Sequence, residues 1–432
     1  MDLRGHLGMD LAVRRLVMAV LLVSAAPAQA AFGNGIRVGG AEGRLHPFVE
    51  LELRYDSNVA TYLDPSYSVG SDLILHVRPG LELKVPGDSV AVDLRALLDW
   101  AQYFGVQDSI TTDLSNLYAN VDLGVGFNRK GQLGLELDEK FVRSNQPTVY
   151  SVAAGTISNY NDIALSLPWR PGGRALTVTA AGDWSVESFD AFKKAEVCGP
   201  SSSNPFCDTA YLSDLGYNNV GAALNASWKF LPKTAAVLDL AWFDRIPNST
   251  LYSIAGTGLR AQAGATGLVT AHLAATVKAG YGTTLGLSLD PAAVPQGDLS
   301  TFSTWLALVS AEWIPSTFST LKLTFQRDLG FDPGITWALY TNTHVTLEGK
   351  SKFNSLLTGA ISADWGQLGY RDAASSTSDV ITVKPSLQAE MNRWLMLELA
   401  YQYTDRSTDA PAPPPGWSYT KHEVWLRGVV TY

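Results

Sequence analysis

From His46 onward the chain changes polarity at every second residue. In "HPFVELELRYDSNV" (46–59) Val49, Leu51, Leu53 and Tyr55 share one parity, and Glu50, Glu52, Arg54 and Asp56 share the other. Successive side chains of a β-strand point to opposite faces, so this stretch has one apolar face and one charged face. The next stretch, 71–85, repeats the device. Leu73, Leu75, Val77, Leu81, Leu83 and Val85 oppose His76, Arg78, Glu82 and Lys84. A helix cannot carry a period of two, so the chain is restricted to sheet.

Eighteen stretches read as strands: 46–59, 71–85, 89–104, 112–128, 132–144, 156–169, 174–189, 215–231, 234–246, 258–268, 271–287, 300–314, 318–329, 335–349, 352–369, 377–391, 393–406 and 419–432. The weakest is 258–268, and since an even count is expected, its loss makes sixteen the alternative. Tight turns such as Pro86-Gly87-Asp88 and Pro171-Gly172-Gly173 alternate with long polar links such as 190–214 and 288–299. Short connections at one end and long ones at the other are the signature of an outer-membrane barrel. Charged residues are 17% of the chain, below the ~25% of ordinary soluble domains. No stretch is long and apolar enough for a transmembrane helix. The fold expected is all-β, one antiparallel up-and-down transmembrane barrel. Closure removes the free sheet edges that lipid would not tolerate.

Ahead of the strands, Arg14 and Arg15 precede the apolar run 16–23, and Ala28-Gln29-Ala30 fits a cleavage site. This is the layout of an export signal. The expected organisation is a cleaved signal at 1–30, a short periplasmic segment at 31–45 and the barrel at 46–432. Cys198 and Cys207 lie in "CGPSSSNPFC". In an oxidising compartment a disulfide is the simple reading, because zinc would need further ligands nearby.

The charged parity gives the expected lumen lining. It includes Glu50, Glu52 and Arg54; Arg78, Glu82 and Lys84; Asp93 and Arg95; Glu136, Asp138 and Lys140; and Asp239, Glu348 and Glu398. Aromatics near strand ends fit interfacial girdles: Trp100, Tyr103 and Phe104; Trp184 and Phe189; Trp242 and Phe243; Tyr401 and Tyr403. The last strand, "EVWLRGVVTY", sets Val424, Leu426 and Val430 on one face and ends on Tyr432. It resembles the terminal signal read by the barrel-assembly machinery.

Catalytic motifs are missing from the sequence. The six histidines are scattered, and there is no H-E-x-x-H, G-x-S-x-G or P-loop. His422 and Glu423 are neighbours on one strand and so point to opposite faces. No enzyme, cofactor or metal is expected, and a net charge of −9 argues against nucleic acid as a partner. No plug domain fits between the signal and the first strand.

The opening strand, ending Tyr55-Asp56-Ser57-Asn58-Val59, resembles that of an outer-membrane β-barrel porin family of Gram-negative bacteria. Its members are often found in exopolysaccharide or capsule loci. The resemblance implies a polysaccharide conduit working with a periplasmic or inner-membrane export apparatus. The alternatives are a general diffusion porin for small solutes and a non-conducting structural or adhesive barrel. Outer-membrane lipid is a partner under every reading.

Overall fold

The computed structural model describes residues 34–38, 42–59, 70–105, 115–145, 157–172, 175–190, 209–249, 255–288, 301–331, 339–370, 376–409 and 418–432. Each of the eighteen expected strands forms. They are β2 (Arg44–Asp56), β3 (Asp72–Val85), β4 (Val90–Tyr103), β5 (Asn116–Phe127), β6 (Leu135–Ser144), β7 (Ile157–Trp169), β8 (Leu176–Asp190), β9 (Tyr217–Leu231) and β10 (Thr234–Pro247). The rest are β11 (Ala255–Thr270), β12 (Leu273–Ser288), β13 (Ser303–Ser316), β14 (Ser319–Phe331), β15 (Leu339–Lys352), β16 (Leu357–Tyr370), β17 (Thr377–Glu390), β18 (Leu395–Thr408) and β19 (Tyr419–Thr431). Two elements were not foreseen. β1 (Ile36–Arg37) pairs with the start of β2, and a short helix, α1 (Thr209–Leu215), precedes β9. β2 begins at Arg44, two residues ahead of His46.

Each strand pairs antiparallel with the next, and β19 pairs with β2 from Glu423↔Asp56 to Thr431↔Phe48. An even number of antiparallel strands is what allows this last pair to close. Directly paired residues face the same side of the sheet. Following that rule from strand to strand brings Arg427 opposite Glu52, so one parity faces inward all the way round.

The inward parity is the charged one. Glu52 and Glu398 are almost completely buried, while Leu51, Leu53, Leu399 and Leu426 are exposed on the outside. This inverts the pattern of a soluble protein and matches a wall between lipid and lumen.

The connections sort by end. Two residues join β9 to β10 and β11 to β12. At the opposite end the links run from 57–71 between β2 and β3 to 409–418 between β18 and β19. The short-turn end is periplasmic and the long-loop end external.

The expected girdle is partly corrected. Trp100, Phe104, Trp184, Trp242 and Tyr401 are exposed on the outer face. Tyr103 and Phe189 are buried, and Phe243 faces Gly258 and Gly221 on the inner parity. Tyr103 and Phe104, like Trp242 and Phe243, are adjacent, and Phe189 stands an odd number of residues from Trp184, so the pleat allows only one ring of each set to meet lipid.

Candidate functional site: the lumen wall

The inward face of β18, β19, β2, β3 and β4 is a continuous ion-pair network. Arg78 is its hub. It meets Glu52 at 2.9 Å and Asp99 at 2.9 Å, with Glu50 at 3.8 Å. Asp99 also binds His76 Nδ1 at 2.9 Å. Arg54 lies 2.6 Å from Glu52 and 3.3 Å from Glu423. Lys421 bridges Asp56 (2.8 Å) and Glu423 (3.6 Å). Arg427 holds Glu398 at 2.6 Å and approaches Glu50 at 3.8 Å. Arg95 reaches Glu50 at 3.3 Å, and Lys84 pairs with Glu82.

The spacing explains the network. Like-parity residues of paired strands lie about 5 Å apart, and register sets Glu50 against Arg78, Glu52 against His76 and Arg427, and Glu82 against Arg95. Bases and acids therefore interleave in two directions. Pro79 and Pro385 fall where the β3–β4 and β17–β18 ladders are interrupted, since proline donates no N–H. Much of this arc is shielded from water, so its charges are held by partners rather than by hydration.

The neighbouring arc has a different balance. The inward residues of β5–β9 include Asp122, Glu136, Asp138, Asp162, Asp183 and Glu187, with only Lys140 and Lys229 as cations. Lys140 stands between Asp122 and Asp162 in register. Glu187 accepts hydrogen bonds from Ser158 and Tyr217, both at 2.5 Å. At the periplasmic mouth a cavity of about 520 Å³ is lined by Arg44, Lys84, Asp93, Arg129, Glu136 and Asp138. Its floor includes Gly124 and Gly126, and Arg129 folds over Gly126 where a side chain would stand.

Further round, Lys278 meets Asp239 at 2.6 Å, Lys322 meets Glu348 at 3.4 Å and His344 meets Asp364 at 3.3 Å. At the external end, inward Tyr103, Tyr118, Tyr160, Tyr340 and Tyr370 are buried.

The residues expected in the lumen thus fall into groups. Glu50, Glu52, Arg54, Arg78, Glu82, Lys84, Arg95 and Glu398 enter the network. Asp93 lies at the cavity opposite Lys84. Glu136, Asp138 and Lys140 stand on β6, and Asp239 and Glu348 have the partners just described. The sequence-derived set omitted Asp56, Asp99 and Lys421, which the same parity rule, run to the strand ends, would have included. Val424, Leu426, Val430 and Tyr432 are exposed on the outer face. Tyr432 stacks near Trp394 (5.3 Å) and donates its N–H to Pro47 O at 3.1 Å. His422 points outward to Tyr401, away from Glu423. Cys198 and Cys207, the proposed disulfide, lie outside the described residues.

The family model described as "Putative beta-barrel porin 2" matches residues 31–431. The chain belongs to that family. As a member of this porin family it is an integral outer-membrane protein of a Gram-negative bacterium. Solved structures resemble it in outline. Pseudomonas aeruginosa OpdK is 12% identical, with 90% of this chain and 99% of that one covered and a TM-score of 0.44. P. aeruginosa OccK2 (OpdF) is 9% identical, with coverage of 90% and 98% and a TM-score of 0.46. Acinetobacter baumannii OccAB3 is 8% identical, with coverage of 90% and 99% and a TM-score of 0.44. No curated protein sequence matches the chain.

Proposed function

We propose that this porin-family barrel is a passive diffusion channel for small polar solutes, with a preference for cations. The observation that carries this is the uneven charge of the lumen. The β18–β4 arc is compensated pair by pair, whereas the β5–β9 arc carries a surplus of carboxylates. A water-filled pore with one acidic wall concentrates cations, and fixed pairs on another wall orient dipolar solutes.

The test is conductance of the refolded protein in a planar bilayer under a KCl gradient. A reversal potential on the cation-selective side is expected, and neutralising Asp162 and Asp183 to Asn is expected to shift it toward zero. An anion-selective or non-conducting barrel would refute the reading.

Exopolysaccharide export, implied by the opening-strand resemblance, is a second reading. The inward tyrosines at the external mouth favour it, since aromatic faces suit sugar rings. Their burial counts against it. The same bilayer separates the two: graded oligosaccharides that block with rising length favour the export conduit, and indifference to them favours small solutes.

A further inference from the structure

One seam of the barrel opens before its strands end. β13 and β14 are paired up to Ala307↔Arg327 and no further. Beyond that point Ser303–Leu306 pairs only with β12, and Asp328–Phe331 pairs only with β15. The eight short turns are at the other end of the barrel, so the gap lies at the external end. It spans four residues on each strand. At a strand rise of about 3.3 Å, that is on the order of 10 Å of wall.

The gap is fitted out by side chains. In a closed ladder Trp305 and Leu329 would face each other. Instead Leu329 N–H donates to Asp328 Oδ1 (2.7 Å), and Leu329 O accepts from Arg260 Nη2 (2.5 Å). Trp305 O accepts from the Thr304 hydroxyl at 3.4 Å. Free backbone edges in a wall facing lipid are costly, and here side chains satisfy them.

Arg260 crosses from β11 to β14, with Asp328 Oδ1 3.3 Å from its Nε. Its register partner on β12 is Gly282, which has no side chain to obstruct it. The end of β14 is thereby drawn inward: Phe331 meets Phe243 of β10 edge-on at 5.5 Å. Leu306 and Leu329, on the two strands that flank the gap, are fully buried.

Three guanidinium groups mark a path through the seam. Arg327 lies outside, over the lipid-facing ring of Trp305 (4.6 Å) and bonded to Thr343 (2.8 Å) and Thr304 (3.4 Å). Arg260 is at the edge. Arg245 is inside, 4% exposed, over Tyr217 at 3.7 Å, with Nη1 at 3.5 Å from Phe331 O. Its Nε and Nη2 are buried and have no hydrogen-bond partner among the described residues. A buried guanidinium with two idle donors is an anion-binding group, because unmet buried charge is unfavourable.

We propose that the β13–β14 seam is a lateral portal between the outer leaflet and the lumen, and that Arg245 with Tyr217, Phe243 and Phe331 binds an amphiphile bearing one anionic head and an apolar tail. The apolar walls take the tail, Arg245 takes the head, and Arg327 and Arg260 precede it along the route. This site is separate from the axial ion path of the proposed channel and does not depend on its selectivity.

The test uses the full barrel in lipid nanodiscs, with octanoate as probe and empty discs as reference, by calorimetry. Saturable octanoate binding is expected, with acetate and octan-1-ol at least about tenfold weaker, since each lacks one half of the ligand. Arg245→Gln is expected to weaken octanoate at least about tenfold and Arg245→Lys less. Heat-modified gel mobility and unchanged KCl conductance establish that these variants are folded. A second variant, Trp305→Cys with Leu329→Cys, at the two positions a closed ladder would set face to face, zips the seam on oxidation. Octanoate affinity is expected to fall about fivefold when it is oxidised and return on reduction, with each single-cysteine variant as control. Binding no stronger than to empty discs, undiminished by Arg245→Gln, equalled by acetate, or indifferent to the cross-link would overturn the proposal.

Discussion

Removing Arg78 tests whether the lumen network carries fold stability. Its side chain is 10% exposed and serves Glu52 and Asp99, each at 2.9 Å. Arg78→Met keeps most of the volume but leaves two carboxylates short of a partner. Breaking a buried pair from one side costs about 3–5 kcal/mol. Water in the lumen can reach the vacated space, so the lower figure, about 3 kcal/mol, is expected. The assay is equilibrium urea unfolding of the barrel in thin-bilayer vesicles, followed by tryptophan fluorescence and extrapolated linearly. Adding Glu52→Gln should restore about 1.5 kcal/mol, a coupling of the size found for groups in one network. Glu52 retains a neighbour in Arg54 at 2.6 Å, so the recovery is partial. A loss under about 1 kcal/mol would place Arg78 with ordinary exposed pairs and refute the reasoning. Additive single effects would do the same.

Other substitutions probe other parts of the wall. Asp239→Asn strands Lys278, whose side chain is 3% exposed at 2.6 Å from it; a destabilisation of about 2–3 kcal/mol in the same unfolding assay is expected. Leu426→Arg puts a cation on the lipid face near the middle of β19, and about 2–4 kcal/mol should be lost in a thickness-matched bilayer. Gly280→Ala brings a Cβ to 1.9 Å from Ala261 O, a backbone clash that no rotamer relieves; the folded fraction on semi-native gels should collapse, whereas Gly182→Ala, whose Cβ would meet nothing nearer than Gly221 O at 3.7 Å, should fold. Deleting Tyr432, or changing Val430 to Asp, should slow insertion by the assembly machinery in pulse-chase, with little effect on chain export.

Parity made most of the barrel legible. Glu50, Glu52 and Arg54 against Val49, Leu51 and Leu53 assign a side to every residue of β2, and one rule places the rest. β11 was the weak point because "AGTGLRAQAGATGLVT" is built of small residues whose faces differ little in polarity. The network was not legible, because pairing between strands depends on stagger. Nothing in the sequence states that Arg78 sits across from Glu50 while touching Glu52 and Asp99. The opened seam is further out of reach. It shows only as Leu329 bonding to side chains instead of β13, and "LGF" at the end of β14 reads as ordinary strand.

The junction of β19 with β2 also bears on assembly. Its partners stand 369 residues apart at Arg54 and Glu423. Bringing such distant ends together costs on the order of 5 kcal/mol in loop entropy alone. That cost precedes any reward from the final ladder, and the last strand is the last one synthesised. The barrel therefore cannot close behind the ribosome or during translocation; β2 must wait, unpaired on that edge, until β19 arrives. When it does, Asp56, Arg54 and Glu50 of β2 meet Lys421, Glu423 and Arg427 of β19 across the junction. A slip of one residue would turn those charges into lipid, so the ends hold a key that admits a single alignment.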